Sequence, residues 1–173
     1  MSMSDQDNSK LQDLVDLSVF YRGSIITEWI HLEKYIESYI LNYFTKDTEK
    51  QLELAQLLIN RLNFESKRSV FKTILEKKAI INGFKKTKSN SYPDSELLDE
   101  IRKINLERNY FAHYVIDYSE DAVILSPNQI TLMEFRDKTV QKAYTQKDYL
   151  KLRSRILDVA IKVDEMVNDL NSE

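Results

Sequence analysis

Cysteine is absent from this chain of 173 residues, and glycine and proline occur only twice each. The first absence removes disulfide frameworks, thiolate metal sites and cysteine nucleophiles together. The scarcity of turn formers argues against a sheet-rich fold and makes long helices the default. Gly23 and Gly83 alone cannot build a glycine-rich phosphate loop, so P-loop and dinucleotide-fold chemistry are excluded. No apolar run approaches the length of a membrane span, and the opening MSMSDQDNSK lacks the apolar stretch of a secretory signal. A cytoplasmic protein with no membrane partner is expected. Positive charge is not in excess either. With 25 basic and 28 acidic residues the net charge is −3, which argues against a general basic coat for nucleic acid.

What is present is ordinary for a globular protein: 42% hydrophobic residues is too apolar for wholesale disorder. The length suits one compact domain. Residues 1–10 read as a disordered lead and residues 11–173 as a single domain, with no internal repeat or linker to divide it.

Periodicity places the helices. From Leu11 to Phe44 one stripe runs Ile25, Trp29, Leu32, Ile36, Tyr39, Tyr43 in steps of four and three. A second stripe beside it contains Glu33 and Glu37, and Gly23 is a candidate break. Thr48-Glu49-Lys50-Gln51 reads as a capping box opening the next helix. Phe64 to Ile81 follows as a helix closed by Asn82-Gly83. Pro93 suits a first helical position, and its helix should reach His113 or Tyr114. From Tyr114 to Tyr144 β-branched and aromatic residues dominate, with Ser119-Glu120-Asp121 and Asp137-Lys138 as turns of one or two hairpins. Thr145 with Asp148 starts a last helix. The expected fold is an all-α helical bundle of about five helices with a small β-hairpin insert before the last.

Charge is uneven. Between Lys67 and Lys88 stand eight basic residues against the single acid Glu76. A solvated helix face and loop is the first reading. Lys85, Lys86 and Lys88 as an RNA phosphate track is the second.

The helix from Pro93 carries a stripe of Leu97, Ile101, Ile104, Arg108, Phe111 and Val115. A charge at 108 on that stripe is costly unless it is paired or lines a site. Glu33 and Glu37 are the candidate partners for Arg108 inside the bundle. His113 falls about 140° around the helix from Arg108, so a long side chain or a second subunit must bring the two together. Glu28 and His31 have the Glu-x-x-His spacing of di-iron bundles, but His113, the only other histidine, has Tyr110 three residues before it. Neither a metal nor a cofactor is expected.

Arg108-Asn109-Tyr110-Phe111-Ala112-His113 resembles the R-x4-H signature of the HEPN superfamily, with a polar residue after the arginine and alanine before the histidine. The order of elements over roughly residues 10–170 resembles that family as well. The resemblance implies a homodimer formed around the signature helices. It also implies a metal-independent endoribonuclease of the toxin or antiphage kind, with an antitoxin or other protein as a further partner. Arg108 and His113 take the two signature positions and Asn109 the polar one. The chemistry suits the residues: histidine exchanges protons near neutrality, and arginine offers a permanently charged fork to phosphate. Asn109 would orient the imidazole or hold a phosphate oxygen. The alternative is a non-catalytic HEPN-like protein that binds a nucleotide or serves as a scaffold.

Overall fold

The computed structural model describes residues 5–87, 91–136 and 139–172. Among these the chain is all-α, with six helices and a small antiparallel sheet before the last. Helix α1 spans Asp5–Phe44, α2 Thr48–Leu57, α3 Phe64–Ile81, α4 Ser95–His113, α5 Glu120–Leu125 and α6 Gln146–Ser172. Strands β1 (Val115–Ile116), β2 (Gln129–Met133) and β3 (Gln141–Thr145) lie in the order β1-β2-β3. No described helix is long and apolar enough to cross a membrane.

Several boundaries follow the expected chemistry. Helix α3 ends at Asn82-Gly83, where Gly83 takes φ +87°, a conformation open to glycine. The Thr145 hydroxyl accepts from the Asp148 amide at 3.2 Å, while the Asp148 carboxylate accepts from the Thr145 amide at 3.1 Å. That reciprocal pair opens α6.

Other boundaries differ. α1 begins at Asp5, inside the expected lead, and runs through Gly23 without a break. A single glycine costs a helix about 1 kcal/mol, which the surrounding apolar stripe outweighs. The cap of α2 is Asp47, whose carboxylate accepts from the Glu49 and Lys50 amides at 2.9 and 3.2 Å; Thr48 is the first helical residue. Gln51 reaches back to the Thr45 carbonyl at 2.8 Å and to Asn42 at 3.0 Å. Pro93 lies in a turn before α4. Ser119, expected in a turn, caps α5 through the Ala122 amide at 3.4 Å, so the segment between β1 and β2 is helical. The expected turn at Asp137-Lys138 lies outside the described residues.

The chain divides into two compact units, and α1, α4 and α6 contribute residues to both. The first comprises residues 1–29 and 104–156. Its sheet pairs Gln129–Met133 with Gln141–Thr145 in register, and Val115–Ile116 with Leu132–Met133. Alternation along β2 buries Ile130 and Leu132. These join Ile25, Trp29, Ile104, Phe111 and Ile156 in a core where the Tyr21 and Tyr149 rings stack 3.9 Å apart. The second unit comprises residues 30–103 and 157–173. Its core gathers Leu32, Ile36, Phe71, Ile74, Ile101 and Val163, with Tyr39 meeting Phe71 edge to face at 5.0 Å.

Candidate functional site

The signature residues lie in the first unit, on the last turns of α4. Arg108 continues the stripe of Ile101 and Ile104, both fully buried, and is itself half-buried. Its guanidinium lies over the ring of Trp29, with Cζ 5.8 Å from the centroid, a cation–π arrangement. Its Nη1 donates to the Asn109 side-chain oxygen at 3.0 Å. The Nε is buried and has no hydrogen-bond partner among the described residues. Asn109 therefore holds the arginine.

His113 is the last residue of α4 and is exposed. A basic side chain there complements the negative end of the helix dipole. Arg108 and His113 are separated by about 7.5 Å of helical rise and about 140° of turn. One helix does not converge them.

Sequence reasoning missed three arrangements nearby. Arg22 donates from Nη2 to the carbonyl of Tyr114, the residue after His113, and so fastens the end of α4 to α1. Burial pushes the Arg22 guanidinium below its ordinary value, against an opposing pull from Tyr118. The signal was present: one step of three back from Ile25 extends the α1 stripe to position 22. Glu107 takes Arg155 at 2.5 Å, and Glu28 takes the Nε of Arg153 at 2.6 Å. The partner of Glu28 is thus an arginine, while His31 is exposed.

Glu33 and Glu37, expected opposite Arg108, lie in the second unit and hold Lys67. Its Nζ is 2.6 Å from each carboxylate, and Lys34 reaches the other oxygen of Glu37 at 2.7 Å. Lys67 is buried, which removes it from the solvated face or phosphate track the basic segment suggested. Its place was legible too, because Lys67, Phe71 and Ile74 share one stripe of α3. Burial alone would lower the lysine and raise Glu37. Hydrogen bonds outweigh it, those of Lys67 to Glu33 and Glu37 and those that Glu37 accepts from Lys34 and Lys67, so Lys67 lies above its ordinary value and Glu37 below.

Of the expected phosphate track, Lys85 and Lys86 are exposed, and Lys88 lies outside the described residues. Lys86 sits over the Tyr92 ring, 5.0 Å from its centroid.

Comparison with protein-family models, with curated proteins and with solved structures gives no match to this chain.

Proposed function

We propose that this protein is a metal-independent endoribonuclease of HEPN type, acting in the cytoplasm as a homodimer. The observation that carries the reading is a partly buried arginine, its guanidinium held over Trp29 and by Asn109, five residues before an exposed histidine on the same helix. Cleavage of RNA by its own 2′-hydroxyl needs a base for that hydroxyl, an acid for the leaving oxygen, and positive charge on the phosphate. His113 moves the protons and Arg108 binds phosphate oxygens through its terminal Nη groups. Because the two side chains diverge on one helix, a second copy completes the site, giving two histidines and two arginines about a twofold axis. Leu106, 52% exposed on α4, with Val19 and Phe20 exposed on α1, offers apolar surface for that contact. A toxin or antiphage role with a protein antitoxin fits this chemistry.

The test is cleavage of total RNA by purified protein in the presence of chelator. His113→Ala should lower the rate by about a hundred- to ten-thousandfold while leaving fold and dimer intact. Arg108→Lys should restore little, since lysine keeps the charge and loses the fork.

A second reading has its own support. Arg108 is held by an aromatic ring and a neighbouring amide, as a structural arginine would be, and the chain is acidic overall. In that reading the motif binds a nucleotide or seals a dimer seam. Wild type that leaves RNA intact from pH 6 to 8, with Arg108→Ala breaking the dimer, selects it.

A further inference from the structure

We propose that the cleft between α3 and the start of α4 binds the phosphate of a nucleotide, as a site of its own in the second unit. The cleft encloses about 330 Å³, enough for a single nucleotide. Arg68, Lys72, Lys86 and Arg102 line it against two carboxylates, Glu76 and Asp99, so four positive charges face two negative ones. That excess of two reverses the sign of a chain whose net charge is −3.

Arg68 is held on one edge by Glu65 at 2.8 Å, and Arg102 by Asp99 at 2.8 Å, each carboxylate three residues back on the same helix. A guanidinium has five N–H donors, so each pair leaves donors for a phosphate. Lys72 reaches Glu76 only at 3.8 Å. Exposed pairs of this kind hold weakly and give way to a doubly charged anion. Lys86 is drawn to the Tyr92 ring, whose centroid lies 5.3 Å from that of Phe84. Leu98 and Tyr92 give the cleft an apolar side against which a base can lie, which a site for inorganic phosphate alone does not need.

The phosphate belongs either to a free nucleotide or to a strand crossing the cleft. Only the naming of that strand as RNA rests on the function proposed above.

The experiment measures binding of a fluorescent uridine oligonucleotide to the full chain by anisotropy, in a His113→Ala background so that the probe is not cut. AMP and inorganic phosphate serve as competitors. Lys86→Gln/Arg102→Gln should weaken binding about tenfold and lower the slope of log affinity against log salt by about 1.4, two phosphate contacts on a single strand. Lys147→Gln/Lys162→Gln, an equal charge change elsewhere, should do neither. Arg68→Gln/Lys72→Gln provides a second pair if the first fails to fold. Displacement by millimolar AMP assigns the cleft to a free nucleotide. Displacement only by unlabelled oligonucleotide assigns it to a strand. Absence of binding, or equal loss in the cleft and control pairs, overturns the proposal. A wild type that binds but never cuts RNA overturns the nuclease reading alone. One that cuts, with cleft variants that bind normally, overturns this proposal alone.

Discussion

The Arg108 guanidinium lies over the indole of Trp29, its Cζ 5.8 Å from the ring centroid, and Trp29 is fully buried. A half-buried cation on a core stripe therefore rests on an aromatic face, with its Nε left without a hydrogen bond among the described residues. The cation–π contact supplies about 0.5–2 kcal/mol, and the buried orphan donor costs about 1–3 kcal/mol. The two are of similar size and opposite sign, so between them they leave little net stability.

Arg108→Met should accordingly leave the melting temperature unchanged or raise it, since methionine fills similar space and has no donor to bury. RNA cleavage should vanish in the same protein. A melting point lowered by more than about 8 °C, the shift expected for well over 1 kcal/mol in a domain of this size, would make Arg108 a structural residue and sink its functional assignment.

The Lys67 cluster gives stability a pH window. Glu37 has a folded value below the ordinary glutamate value of about 4.3, so its contribution is present above that value and disappears as pH falls through the folded one. Lys67 has a folded value above the ordinary lysine value of about 10.4, so its contribution is present below that value and disappears as pH rises through the folded one. Lys67→Met should cost about 3–5 kcal/mol at neutral pH by leaving two carboxylates without it. Urea titrations at pH 3, 7 and 11 should show wild type losing stability at both ends and the variant changing less.

The two glycines should respond oppositely to alanine, although a Cβ would meet nothing within 4 Å at either. Gly23 is an exposed helix-interior residue, so Gly23→Ala should stabilise by about 0.5–1 kcal/mol. Gly83 has φ +87°, and Gly83→Ala should destabilise by about 1–2 kcal/mol through left-handed backbone strain. Chemical denaturation of both variants reads the signs directly.

The cap of α2 offers a local check. Asp47→Ala removes the acceptor for two helix amides and should cost about 1 kcal/mol. Thr48→Ala should change stability by no more than about 0.5 kcal/mol. The reverse ranking would restore the capping box at Thr48.

Helices were legible wherever apolar spacing held, as in α3, whose ends at Phe64 and Ile81 both follow from sequence. Ends went astray where two cap candidates adjoin, as Asp47 does Thr48, because spacing alone does not say which side chain reaches the free amides. α5 was hidden because six residues are too few to show a period, and Val123, Ile124 and Leu125 read as strand formers. The stripe containing Arg108 marked it as a partly buried charge. The identity of its support did not follow, since a stripe says which way a side chain faces and not what faces it. Their stripe offers Glu33 and Glu37 to Arg108, yet Lys67 sits on an equally telling stripe, and charge alone groups it with its exposed neighbours.

That cluster also constrains how this sequence can drift. Lys67 answers two acids at once, so loss of charge at 33, 37 or 67 alone unbalances the cluster. In related chains a lysine at 67 should travel with acids at 33 and 37, or all three should turn apolar together. Those positions would then record common ancestry more durably than the exposed lysines that surround them.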